Sequence, residues 1–469
     1  MQTLHHKSTK RAWAGAMAAP AREFPRTQLP IIAGKIPDRL RGTLYRNGAA
    51  RLERGGLSVG HWFDGDGAIL AVTFTDAGAS AVYRYVQTTG YQAETAAGKF
   101  LYGNYGMTAP GAFWNQWRRP VKNSANTSVL ALPDKLLALW EGNHPHALDL
   151  ETLETQGLDD LGGLDKGLPY SAHPKVDPHK GEIFNFGLTP SVNAILNIYK
   201  SDYTGKILQT AKFTLAGFPA MHDFVLAGQY LIFFASPVRI NVLPVLFGFS
   251  TYSNSMKWQP ELGTEILVFD RETLTLVSRG KTEPWYQWHF ANGYVDASGT
   301  VVIDFARYQD FQTNQYLKEV ATGETHTPAE TTLTRVQLKP QTGKVIGIET
   351  LLDRTCEFPL VPPAHVGQAS RYTYMSIFRQ GTEINREILN AIARFDHNTQ
   401  TLTEANPGEN RYPSEPIIAE DWVLTVVYDG NSHRSEVWIY DSDRLDEEPV
   451  CKLELPSVIP HSFHGTWKN

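Results

Sequence analysis

The 469-residue chain is poor in sulfur, with two cysteines, Cys356 and Cys451, and six methionines. Neither cysteine lies in a CxxC pair, so a disulfide framework or thiolate metal site is excluded and a reducing compartment is indicated. Basic charge is not in excess either. Lys and Arg number 43 against 49 Asp and Glu, a formal net charge of −6. That balance supplies no field for a polyanion and excludes nucleic acid as the main partner. No apolar run approaches the roughly 20 residues that span a bilayer. The N-terminus, MQTLHHKSTKRAWAGAMAAP, is basic, but its apolar stretch is too short and too alanine-rich for a secretory signal. A cytoplasmic protein is expected, at most peripheral to a membrane, with residues 1–25 as a loosely ordered lead-in.

What the chain does have is punctuation and strands. Glycine (38) and proline (28) divide it into short elements. The runs VTFT, AVYRYV, LLALW, YLIFFA, EILVFD, TVVIDF, WVLTVVYD and EVWIYD are β-branched or aromatic and bounded by turn residues, which predicts an all-β protein. One hairpin recurs, an apolar strand followed by a polar turn and a second strand. Its turns fall at Asp76, Asp149, Asp202, Asp270, Pro340, Asp396 and Asp441, spaced as the blades of a ring would be. Asp caps such a turn by accepting a backbone N–H two residues on, and Pro340 presets the same geometry. Seven hairpins at this period predict seven four-stranded sheets set radially, a seven-bladed β-propeller. A length that otherwise suggests two or three domains becomes a single ring over residues 26–469.

The repeat makes the 15 histidines informative. His173 follows Asp149, His222 follows Asp202, His289 follows Asp270 and His464 follows Asp441, all at nearly the same offset. Each offset carries the chain through an outer strand to the start of the next inner strand, so the four imidazoles are expected to converge on the axis. Two hairpins without such a histidine supply Glu357 after Pro340 and Glu415 after Asp396, in the same phase. Carboxylates placed there suit the second N–H of a metal-bound imidazole. Four neutral nitrogens, no cysteine and no HExxH favour redox-active Fe(II) with dioxygen as co-substrate over structural zinc, Ca²⁺ or Mg²⁺. His61, in HWFDGDG, reads instead as part of a Gly-rich turn with structural Asp64 and Asp66.

At these residues the sequence resembles the carotenoid cleavage oxygenases. The matching segments are LRGTLYRNG (40–48), HWFDGDG (61–67), LLALWEG (136–142), SAHP (171–174), MHDF (221–224), WHFANGY (288–294), CEFP (356–359), SEPII (414–418), HRSEVWIYD (433–441) and HGTW (464–467). They span nearly the whole chain. GLDDLGG (157–163) and the overall spacing look closest to the cyanobacterial apocarotenoid 15,15′-oxygenases. The resemblance implies a seven-bladed β-propeller with a helical and loop cap over an axial metal site, the cap built from inserts near 100–125 and 240–260. It implies Fe(II) on His173, His222, His289 and His464, and outer carboxylates at Glu141, Glu357 and Glu415 that orient three of the four. Glu141 comes from the resemblance alone. The implied reaction is oxidative cleavage of an apocarotenoid C=C bond to two aldehydes such as retinal. Phe63, Trp140 and Trp288 adjoin the motifs and are expected to line the path of the polyene, whose positive charge aromatic faces stabilise. Where relatives often have Phe before the third histidine, this chain has Trp288, which bears on where the chain is cut.

An apolar polyene substrate lives in membranes. APGAFWNQWRRPVK (109–122) and NVLPVLFGFSTYSNSMKW (241–258) are unusually apolar for inserts. Phe113, Trp114, Trp117, Leu246 and Phe247 are the expected membrane contacts, with Arg118, Arg119 and Lys122 on lipid phosphates. No obligate protein partner is expected. Competing readings are cleavage of a stilbene-like phenolic alkene, cleavage at a non-central double bond, a binding propeller and a metal-dependent hydrolase. The binding propeller gives no reason for four in-phase histidines, and the hydrolase prefers carboxylate ligands.

Overall fold

Alternation of apolar and polar residues along short strands forces each strand to share its buried face with neighbours, and the chain does this seven times over. The computed structural model describes residues 11–112, 114–115, 121–191 and 193–469. Seven main antiparallel sheets form the blades of a propeller. Blade 2 shows the plan, Ser128–Ala131, Leu136–Leu139, His146–Leu148 and Thr155–Leu158 running outward from the axis. The innermost strands of blades 3 to 7 are Lys175–Asp177, Val225–Ala227, Phe290–Val295, Cys356–Leu360 and Ile417–Ala419.

All seven predicted hairpins join the third strand of a blade to its fourth. Asp149, Asp202, Asp270, Asp396 and Asp441 each accept the backbone N–H two residues on, as the turn requires. Asp76 departs from this and pairs with Arg41, leaving Thr75 Oγ1 to accept from Ala77 N.

The ring closes through both ends of the sequence. Gly465–Lys468 forms the inner strand of blade 1 against Gly42–Arg51, while Ile31–Gly34 adds an outer strand to blade 7 against Cys451–Glu454. Neighbouring blades pack through large side chains. Phe184 and Phe186 of blade 3 meet Phe224, Phe233 and Phe269 of blade 4, all almost fully buried, each stabilising the interface by about 1.5–3 kcal/mol.

Two inserts stand over one end of the ring. After blade 1 comes the helix Thr89–Ala97, capped by the Thr88 side chain at one end and by left-handed Gly98 at the other. Its Glu94, with Asp66, Arg54 and Lys122, makes a buried four-charge cluster that fastens the insert to blade 1. Inside blade 4, the hairpin Val238–Ile240/Met256–Trp258 carries the short helices Val242–Leu246 and Tyr252–Ser255. Among the described residues no helix is long and apolar enough to cross a membrane.

The expected loose lead-in over residues 1–25 is corrected from residue 11 onward. Ala12–Met17 is a turn of 3-10 helix with Trp13 completely buried. The Trp13 indole donates to Arg386 O, its carbonyl accepts from His461 Nε2, and Phe24–Gln28 is the outermost strand of blade 1.

Candidate metal centre

Each of the four phased histidines stands at the start of an inner strand. His289 and His464 directly precede Phe290–Val295 and Gly465–Lys468, His173 precedes Lys175–Asp177 by two residues, and His222 precedes Val225–Ala227 by three. Glu357 and Glu415 occupy the same station in blades 6 and 7. The seventh station belongs to Thr127, just before Ser128–Ala131. Inner strands begin at one end of the ring, so side chains at these stations point to one spot. The four imidazoles are buried and their nearest nitrogens all lie within 4.8 Å of one another.

Three of the rings are held from behind by carboxylates. His289 Nδ1 is 2.5 Å from Glu357 Oε2, and His464 Nδ1 is 2.9 Å from Glu415 Oε1. His222 Nδ1 lies against Glu141 Oε1. Glu357 and Glu415 are themselves pinned. Tyr308 donates to Glu357 at 3.0 Å and Phe358 N at 2.7 Å. Arg46 donates to Glu415 at 3.1 Å and Gly465 N at 2.9 Å. Gly465 permits that approach, since a Cβ there would sit 2.6 Å from Tyr45 O. Gly142 does the same beside Glu141, where a Cβ would meet the Trp140 ring at 2.6 Å. Among the described residues no carboxylate stands behind His173, whose backbone N is held by Ser171 Oγ.

Burial and its like neighbours push the His173 pKa well below the ordinary value. Burial also lowers His464, which its Glu415 partner only partly offsets. At His289 burial pulls the pKa down, but Glu357 outweighs it and the net shift is upward. The donor set suits a cation. His222 and His289 both turn Nδ1 to carboxylates, so their Nε2 lone pairs face each other at 3.2 Å, while His173 and His222 Nε2 are 2.8 Å apart. The bare lone pairs of His222 and His289 repel at their distance. A first-row ion with metal–nitrogen bonds of about 2.0–2.1 Å separates adjacent ligands by about 3 Å, so the four histidines can hold such a metal.

Above the histidines lies a cavity of about 530 Å³. Phe63, Trp140 and Trp288, the three aromatics expected there, all line it. Trp288 stands edge-on to His222, 4.9 Å between ring centroids, with its indole fixed on Thr313 Oγ1. Phe358 was not anticipated. Its ring stacks on His289 at 5.1 Å and meets the edge of His464 at 5.2 Å, and its backbone has φ of +52°. A bulky residue in the left-handed region is strained by about 1–3 kcal/mol. Residues before proline are normally extended, so CEFP gives no sign of this. Tyr308, Arg46 and Thr127 were likewise invisible, being single common residues whose role depends on partners far away in sequence. His61 is fully buried, its Nδ1 accepting from Phe63 N, and Asp64 accepts from Gly60 N and Gly106 N. Neither belongs to the four-histidine cluster.

Of the expected membrane contacts, Trp114, Leu246 and Phe247 are exposed, as are Leu243 and Phe249. Phe113 and Trp117, with Arg118 and Arg119, lie outside the described residues. Lys122 is buried in its ion cluster and cannot meet lipid phosphates.

Known proteins resemble the chain in sequence and in fold. The family model described as retinal pigment epithelial membrane protein matches residues 17–469. The chain is 32% identical to the apocarotenoid-15,15′-oxygenase of Synechocystis, over 93% of this chain and 92% of that one. It is 26% identical to resveratrol cleavage oxygenase 1 of Aspergillus fumigatus, over 93% and 91%. The crystal structure of cobalt-substituted Synechocystis apocarotenoid oxygenase superimposes with a TM-score of 0.88 at 31% identity, covering 98% of each chain.

Proposed function

The chain belongs to the retinal pigment epithelial membrane protein family of carotenoid oxygenases, and from that premise we propose that it cleaves a C=C double bond of an apocarotenoid. The products are two aldehydes, retinal among them if the central bond is cut, and the ion held by His173, His222, His289 and His464 is Fe(II). One observation carries this reading, namely that four imidazoles converge and three of them, His222, His289 and His464, form part of the wall of an aromatic cavity. Bound there, Fe(II) supplies the activation of dioxygen that a polyene needs and that side chains cannot provide.

The protein's own residues do the rest. Glu141, Glu357 and Glu415 fix three imidazoles with Nε2 inward, and they balance cationic charge without taking a ligand position. Phe63, Trp140, Trp288 and Phe358 exclude water, hold the extended chain and present π faces to positive charge that develops along it. A polyene reacts without proton transfer, so no acid–base pair is required. The ring, from the strand Phe24–Gln28 onward, acts as one catalytic domain capped by the two inserts. Exposed Leu243, Leu246, Phe247, Phe249 and Trp114 lie in the headgroup layer and draw substrate from the bilayer, making the enzyme cytoplasmic and peripheral.

Similarity to a resveratrol cleavage oxygenase keeps a stilbene-like phenolic alkene as the second reading. Anaerobic reconstitution with Fe(II), followed by oxygen uptake and product masses over apocarotenals and stilbenes, decides between them. Paired aldehydes from a polyene are expected, and their masses identify the bond. Absence of bound iron, turnover of stilbenes alone, or activity untouched by His222→Ala would overturn the proposal.

A further inference from the structure

The larger ion networks of this protein are balanced where they stand. Arg54 and Lys122 meet Asp66 and Glu94, two against two. Between blades 3 and 4, Arg271, Lys200 and Lys180 meet Asp177, Glu182 and Glu272, three against three. Beside the metal centre, Lys175 cancels Asp223 at 2.7 Å. The carboxylates behind the histidines break this rule. Glu141, Glu357 and Glu415 are three, and among the described residues Arg46 is the one Lys or Arg paired with any of them.

Arg46 is 1% exposed, and its five N–H groups are all committed. Nη1 donates to Glu415 Oε2 at 3.1 Å and to Glu415 O at 3.0 Å. Nε and Nη2 donate to Ser462 Oγ at 3.2 and 2.8 Å, and Nη2 also to Phe463 O at 3.0 Å. Four of these five bonds end on neutral oxygens, which a neutral amide would satisfy at far less desolvation cost than a buried guanidinium. Only the Glu415 carboxylate calls for a charge, and it is the group 2.9 Å behind His464 Nδ1. Glu357, behind His289, manages with neutral donors from Tyr308 and Phe358.

Three carboxylates and one guanidinium leave a surplus of two negative charges, which a divalent ion neutralises. A trivalent ion would leave one positive charge in a buried site. Without Arg46 the surplus is three, and the trivalent ion becomes the matched one. Glu141 is the most exposed of the three acids, so its charge weighs least. The direction of the Arg46 effect does not depend on that weight, because loss of a nearby cation always favours the higher ionic charge. We propose that Arg46 is a positioning residue which, acting through Glu415 and His464, biases the centre toward a divalent ion and so holds iron as Fe(II). This inference rests on the proposed iron centre and concerns the oxidation state it retains.

The test is a redox titration of the iron-loaded protein under nitrogen, with the Fe(III) form followed by EPR. Arg46→Gln keeps hydrogen-bond donors and loses the charge. It should raise affinity for Fe(III) relative to Fe(II) about tenfold, the size expected of a unit charge about 10 Å away at an effective dielectric constant of about 20. For a one-electron couple that lowers the potential by about 59 mV. Arg46→Lys, which keeps the charge, should stay within about twofold of the wild type. A merely structural role would weaken both oxidation states together and leave their ratio unmoved. Should Arg46→Gln fail to fold, the same charge is read by comparing Glu415→Gln with the double variant Arg46→Gln/Glu415→Gln, where the ion pair is replaced whole. The double variant should favour Fe(III) about tenfold more than the single one. A ratio that does not move, or that moves as far in Arg46→Lys as in Arg46→Gln, overturns the inference while the iron reading stands. Protein that takes up no iron overturns both.

Discussion

On one side of the four histidines lies the large cavity, walled by Phe63, Trp140, Trp288 and Phe358. On the other, along the axis, lies a pocket of about 170 Å³ bordered by Ser128, His173, Lys175 and Thr466. His222 and His289 face the first, His173 faces the second, and His464 borders both. The carboxylates follow the same division, since the histidine that faces only the polar pocket is the one without an acid behind it among the described residues. An aromatic wall cannot orient an imidazole by hydrogen bonding, so the cavity side depends on Glu141, Glu357 and Glu415. The difference assigns routes as well. An apolar chain is admitted only from the cavity side, while hydrated species are far less costly on the axial side.

Removing a ligand tests the shared centre itself. His222→Ala should cost at least about 100-fold in metal affinity, more than an outer partner does, with activity lost in step; metal content after gel filtration checks it. The contrast between sides is next. Glu357→Gln and Glu415→Gln should each weaken metal binding about 10–100-fold, while Ser128→Ala on the axial side stays within about twofold, measured by chelator competition. An equal loss on both sides would break the comparison.

Acid tests how strongly the interior refuses charge. Burial holds His61 near a pKa of 3 and His146 and His461 near 4, against 6.5 when unfolded. Below pH 6.5 the unfolded chain binds protons that the folded chain does not accept until pH 4 or lower. Stability is thus present above pH 6.5 and falls as the pH drops, by at most about 1.4 kcal/mol per pH unit for each histidine. Asp64 works in the opposite sense, because burial raises its pKa to about 6 and the folded state takes up that proton first. Three groups against one predict a melting temperature that declines from about pH 7 to about pH 5. The smallest effect belongs to the outer surface. Leu246→Ser with Phe247→Ser should lower partition onto anionic vesicles several-fold, read by flotation.

The histidines were legible because the distance from turn to station stays nearly constant wherever an outer strand leads straight into the next blade. The rule breaks after Asp76. There the helix Thr89–Ala97 and its following loop delay blade 2, and Thr127 arrives out of phase. Glu141 evades the rule for another reason, since it follows a second strand, Leu136–Leu139, rather than starting an inner one. Ring closure by Ile31–Gly34 and Gly465–Lys468 pairs segments from the beginning of the chain with segments from its end, which no local pattern records. Burial of Trp13 likewise depends on Arg386 and His461, so composition alone made an ordered turn look loose.

Ring closure and the centre are coupled by a single residue. His464 directly precedes the strand that closes blade 1, so the fourth imidazole reaches the axis only when that strand has docked. An ion held by all four histidines binds the closed ring and not the open one, and by mass action it stabilises closure by RT ln(1 + [L]/Kd). A metal bound there would serve as a latch on the toroid. Its removal makes blade 1 easier to unzip, and fraying of the last strand releases the ion in turn.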